Sequence, residues 1–93
     1  MIERRIRGRV VGIDNIEPDV VYFILEPEED KRNKRKKKRR VTIPIHREWS
    51  NALALLDAAF LKDYVVSIEG LYEERDGSLY VFSSEGIKVE DDQ

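Results

Sequence analysis

The sequence predicts an all-β domain with one helix, in the order β-β-β-α-β-β. Three observations carry this. Apolar and polar residues alternate with a period of two in several separate segments, as strands require. The period changes once: Trp49, Leu53, Leu56 and Phe60 stand at i, i+4, i+7 and i+11, with Ala52 on the same side, and make one helical stripe. Pro, Asp-Asn and Asp-Gly mark boundaries between the segments. At 93 residues and 41% hydrophobic, the chain is one domain, 1–93, with room for a single small core.

The first strand covers 6–13. Ile6, Gly8, Val10 and Gly12 fall on one face, and Arg5, Arg7, Arg9 and Val11 on the other. Two glycines within it predict a long strand that bends sharply or carries a bulge. Asp14-Asn15 and Glu17-Pro18-Asp19 supply turn chemistry, and 20–26 is β-branched and aromatic enough for a second strand. There Phe23 and Leu25 share a face with Val21, and Tyr22 and Ile24 share the other; with the first set as core, Tyr22 points outward. A third strand at 41–45 alternates Val41, Ile43 and Ile45 with Thr42 and Pro44, and Pro44 sets its own end at an edge or terminus.

The helix covers about 47–61, with Trp49, Leu53, Leu56 and Phe60 toward the core and Leu55 on the less buried side. His46, the one histidine, stands at the strand-to-helix junction, where a polar side chain can cap orphan amides. A fourth strand at 64–73 contains Gly70. Arg75-Asp76-Gly77 forms a hairpin turn, and 79–83 is the fifth strand, prolonged by 86–89 after a kink. Tyr80 and Phe82 share a face opposite Leu79 and Val81. Residues 90–93 form an acidic tail.

Charge is distributed unevenly. Residues 31–40 read KRNKRKKKRR, so Lys31, Arg32, Lys34, Arg35, Lys36, Lys37, Lys38, Arg39 and Arg40 supply nine of the 17 basic residues. The remainder has 8 basic against 19 acidic residues, a formal charge of −11, beneath an overall −2. So many like charges stay solvated and seek polyanions. The stretch 28–40 is expected to be a mobile loop or a hairpin arm between strands 2 and 3. Its readings are phosphate neutralisation, a solvated loop without a ligand, a nuclear-localisation tract in a eukaryotic source, and contact with an anionic membrane surface, though without the usual apolar anchor. Arg5, Arg7 and Arg9 either continue a positive track onto the barrel or keep an exposed strand face soluble.

Several functions are disfavoured. No cysteine is present, which excludes disulfides, thiolate metal sites and a cysteine nucleophile. One histidine makes no metal site, and no nucleophile–base pair, phosphate-cradling glycine loop or spaced carboxylate pair suggests catalysis. The expectation is a non-enzyme without cofactor. There is no run of about 18 apolar residues and no secretion signal, pointing to a cytoplasmic protein, nuclear in a eukaryote. Abundant Glu, Lys and Arg with few Asn, Gln and Met leans toward a thermophilic source.

The segments IRGRVVGID, RRVTIPI and VVSIEGLYEERDGSLYVFSSEGIKV together resemble an OB-fold, the five-stranded Greek-key barrel with a helix between strands 3 and 4. The last stretch is similar to the closing hairpin of single-stranded-nucleic-acid-binding OB domains such as those of replication protein A and anticodon-binding domains. An SH3-like barrel shares much of the pattern, but a full helix before the last hairpin favours OB. The resemblance implies a groove across strands 2 and 3, flanked by the loops joining strands 1–2 and 4–5. Here those loops carry Asp14, Glu17 and Asp19, and Glu73, Glu74 and Asp76 beside Arg75, and acidic loops repel phosphate. Contact therefore shifts to the basic connection, which bacterial single-strand-binding proteins also extend toward DNA. The expected partner is single-stranded DNA or RNA, held by the basic run with Arg7 and Arg9, and by stacking on Tyr22. The rival reading is a protein-interaction OB subunit of a replication, repair or RNA-processing complex, with a protein partner or a second copy of itself.

Overall fold

The computed structural model describes residues 2–28 and 39–90. Its elements are β1 (Ile2–Glu17), β2 (Val20–Pro27), β3 (Val41–His46), α1 (Ser50–Lys62), β4 (Val65–Glu73), β5 (Ser78–Val81), a 3-10 turn (Ser84–Gly86) and β6 (Ile87–Glu90). The sheet order is β1-β2-β3-β5-β4-β6, and a further β1–β4 pairing closes it into a barrel. β5 and β6 are one fifth strand broken by the 3-10 turn, and both pair antiparallel with β4. The expected element order and the kink before 86–89 are both present. The expectation of a mobile loop or arm over 31–38, and most of the acidic tail, fall outside the described residues.

β1 serves two neighbours in succession. Residues Ile2 to Arg9 pair with β4, and Gly8 to Glu17 pair with β2. Gly8 belongs to both ladders, opposite Pro27 and Val66. A Cβ there would stand 2.2 Å from the Glu26 carbonyl oxygen, so only glycine permits the approach. Gly70 does the same for β4: a Cβ would lie 2.3 Å from the Tyr80 carbonyl oxygen.

The alternation along β1 is not continuous. The register moves from Val10↔Leu25 to Gly12↔Ile24, so Val11 is an extra, exposed bulge residue. This corrects the expected faces: Gly12 lies on the same side as outward Ile24, not with buried Val10. A second shift falls between Asp14 and Glu17. β1 therefore runs through the residues expected to form a turn, and the turn shrinks to Pro18-Asp19.

Phe23, Leu25, Ile43, Ile45, Leu56, Ile68 and Leu79 are the largest fully buried side chains at the centre of the core. The helix adds Ala52, Leu56 and Ala59 to this cluster and packs against β1, β4 and β6. Leu53 and Trp49 are half-buried against it. Phe60 departs from expectation, being 36% exposed. The buried line of the helix is Ala52, Leu56 and Ala59, and Phe60 lies off it.

The helix begins without a side-chain cap, so His46 does not fill the capping role expected of it; its carbonyl accepts the Trp49 N–H at 2.9 Å instead. At the other end Asp63 adopts the left-handed conformation (φ 57°), and the Tyr64 N–H returns to the Ala59 carbonyl at 3.0 Å. Arg9 of β1 donates to the Asp63 carbonyl oxygen, and its guanidinium lies 3.4 Å from the Asp63 carboxylate. A cation there complements the negative end of the helix dipole and ties the helix to the barrel.

Candidate nucleic-acid interface

Alternation on β2 and β3 sends Val21, Phe23, Leu25, Val41, Ile43 and Ile45 inward. It leaves the pairs Val20↔His46, Tyr22↔Pro44 and Ile24↔Thr42 on the outer face. β5 joins β3 in parallel at the single pair Thr42↔Ser78, supported by the Thr42 N–H donating to the Gly77 carbonyl at 2.8 Å. Beyond that bridge β3 has no strand partner on this side among the described residues. Pro44 lies there, so its missing N–H breaks no β3–β5 ladder. Leu79 and Val81 turn inward, which leaves Tyr80 39% and Phe82 54% exposed.

Two depressions meet at Tyr22. One, of about 350 Å³, is lined by Tyr22, Pro44, His46, Trp49 and Tyr80 with Val20 and Val81. The other, of about 260 Å³, is lined by Asp14, Glu17, Tyr22, Ile24 and Thr42. The first is aromatic, the second acidic, and neither lining contains a described Lys or Arg. Tyr22 is half-buried between them. Its phenol is held above the ordinary tyrosine value, chiefly by desolvation, then by a hydrogen bond to the Glu17 carboxylate and by the nearby charges of Glu17 and Asp14. The aromatic surface expected around Tyr22 is therefore wider than Tyr22 alone, with Tyr80 and Trp49 lining the same depression, whereas Phe82 borders a separate one with Trp49 at the start of α1. The β5 alternation carried that signal.

Arg39 and Arg40, the last two cations of the basic run, are exposed and lead directly into Val41 of β3. They enter at the Ile24–Thr42 end of this face. Lys31, Arg32 and 34–38 lie outside the described residues. Arg7 and Arg9 lie on the stretch of β1 that pairs with β4. Arg7 Nε donates to Glu90 at 2.7 Å and Arg7 Nη1 to Glu28 at 2.5 Å. These partners raise its pKa further, the hydrogen bond to Glu90 most of all. Arg5 donates to Glu69 at 3.1 Å, and Arg9 holds the helix end. Arg5, Arg7 and Arg9 thus stand among carboxylates of their own chain rather than beside Tyr22.

No helix among the described residues is long and apolar enough to cross a membrane. No group of three or more His, Cys, Asp or Glu among them could hold a metal ion. Compared with protein-family models, curated proteins and solved structures, the chain matches none.

Proposed function

We propose that this domain binds single-stranded nucleic acid, with phosphates neutralised by the basic run and bases stacked on the outer face of β2, β3 and β5. One observation carries the reading. Half-buried Tyr22 and exposed Tyr80 border one depression on the outer face of an OB-like barrel, and β3 of that face is entered directly from the basic run, nine cations within residues 31–40. Stacking on aromatic rings tolerates any base, and Lys and Arg displace condensed counterions from phosphates. The remaining chain, at −11, could not attract a polyanion unaided. Arg7 and Arg9 enter only as secondary contacts, since a phosphate would have to compete with Glu28, Glu90 and Asp63 for them.

The test is an anisotropy titration of single-stranded DNA, single-stranded RNA and duplex at several salt concentrations. With about four to six cations engaged, the logarithm of affinity should fall against the logarithm of salt with a slope of roughly −3 to −4. Replacing 34–38 with serine should flatten the slope and weaken all sequences alike, because phosphate contacts carry no base information. Absence of salt-sensitive binding to any single strand at low ionic strength would sink the reading.

A second reading, a protein-interaction subunit, is favoured by the helix surface. Leu55 and Phe60 are exposed, and Leu61 is 74% exposed, more apolar area than a solvated helix needs. A chain that binds no nucleic acid but self-associates, or captures one partner through this helix, would fit it.

A further inference from the structure

The same face carries a feature that phosphate binding does not explain: carboxylates beside its stacking platform. We propose that the site selects bases by their hydrogen-bond donors. A base stacked on Tyr22 turns its edge toward Asp14 and Glu17, which favour guanine, cytosine and adenine and disfavour uracil and thymine. This inference rests on the nucleic-acid reading above and adds a base preference to it.

The placement comes from strand register. Asp14 is directly opposite Tyr22 in the β1–β2 ladder, and both point outward because the bulge at Val11 has reset the alternation. Directly opposed side chains in such a ladder start about 5 Å apart at Cβ. Asp14, Glu17 and Tyr22 line one depression of about 260 Å³, with Ile24 and Thr42 as its remaining wall. Both carboxylates act electrostatically on the Tyr22 phenol, and Glu17 also accepts a hydrogen bond from it. The space beside the ring is therefore lined with acceptors.

Base chemistry then decides the preference. A carboxylate only accepts. Guanine presents adjacent N1–H and N2–H donors that match two carboxylate oxygens. Cytosine presents its N4 amino group and adenine its N6 amino group. Uracil and thymine offer a single N3–H between two carbonyl oxygens, so a carboxylate meets lone pairs on either side. The phosphates cannot follow the base into this depression. They stay outside it, at the Ile24–Thr42 rim, where Arg39 and Arg40 lead into β3.

Cytosine against uracil is the sharpest comparison, because ring size and stacking area are nearly equal and the donor edge differs. The test is an anisotropy titration of the full chain with all-C and all-U RNA strands of equal length, at one neutral pH and one salt concentration. The all-C strand should bind at least about fivefold tighter, the lower end of what a well-formed base contact discriminates. Asp14→Asn and Glu17→Gln together should bring the two strands within about twofold, mainly through tighter binding of all-U as the repulsion disappears. Tyr22→Ala should also remove the preference while leaving the salt slope nearly unchanged, which separates a lost platform from a lost fold. Equal affinity of the unaltered chain for both strands would overturn the inference and leave the nucleic-acid reading standing. So would a preference that survives all three substitutions. No binding of either strand at low salt would overturn both.

Discussion

The two outer sides of the barrel handle their long side chains differently. On the side built from β1, β4 and β6, cations meet anions of the same chain: Arg5 with Glu69, Arg7 with Glu28 and Glu90, Arg9 with Asp63. Its tyrosines are occupied as well. The Arg4 guanidinium lies 5.3 Å from the centre of the Tyr72 ring, and the Lys62 ammonium 5.7 Å from that of Tyr64. On the side built from β2, β3 and β5, Tyr22 and Tyr80 border a shared depression with no described cation in its lining. The first side is complete as it stands. The second presents ring faces and acceptors that an outside group can use. Charge count alone would rank the sides the other way, since β1 carries the arginines.

Substitutions can break this contrast. The largest effect belongs to the core that both sides share: Leu56→Ala should cost ~2–5 kcal/mol of stability in chemical denaturation and impair both sides alike. Gly8→Ala comes next, at about 1–3 kcal/mol, because the new methyl would overlap the Glu26 carbonyl where β1 turns between its partners. Either variant denaturing like the unaltered chain would mean that the barrel is not closed as described.

The next two predictions separate the sides. Tyr22→Ala should weaken single-strand affinity roughly tenfold, as for loss of one stacked base, with little change in the denaturation midpoint. Arg9→Ala should do the reverse: about 1 kcal/mol of stability lost with the helix anchor, and single-strand affinity within about twofold. If Arg9→Ala abolished binding while the fold stayed intact, the division between a self-satisfied and an open side would be wrong.

The smallest effect is a titration. Desolvation, then the Glu17 hydrogen bond, raises the Tyr22 pKa, so the folded state favours the neutral phenol. That contribution to stability is complete below the ordinary tyrosine value of about 10 and is lost as pH rises through the raised folded value. Glu17→Gln should shift one tyrosine's phenolate absorbance to lower pH. An unchanged titration curve would show that Glu17 does not act on the Tyr22 phenol.

Much of this was readable in advance where side chains alternate against a core. Val21, Phe23 and Leu25, then Val41, Ile43 and Ile45, are buried as their spacing implies, and Tyr22 and Tyr80 point outward for the same reason. The pattern misleads where backbone pairing overrides it. The ends of β1 are extended because they hydrogen-bond to β4 and β2, although Glu3, Arg4 and Asp14 carry no apolar rhythm. The glycines of β1 signalled a bend or a bulge, but not that Val11 is the extra residue that shifts the phase by one. Asp14 read as part of a turn because Asp14-Asn15 is turn chemistry, whereas it pairs with Tyr22 and belongs to the face beside it. On the helix, large residues suggested the inner line. The buried line is instead Ala52, Leu56 and Ala59, and Phe60 lies off it.

The single β3–β5 bridge at Thr42 and Ser78 has a consequence for hydrogen exchange. Elsewhere, long ladders make the opening of one amide depend on its neighbours; between these strands only a short stretch of pairing resists separation. That seam runs beneath the surface between Tyr22 and Tyr80. A ligand touching both rings would span it like a suture, and the amides of Thr42, Ile43, Ile45 and His46 and of 78–82 would exchange more slowly in the complex than in the free chain.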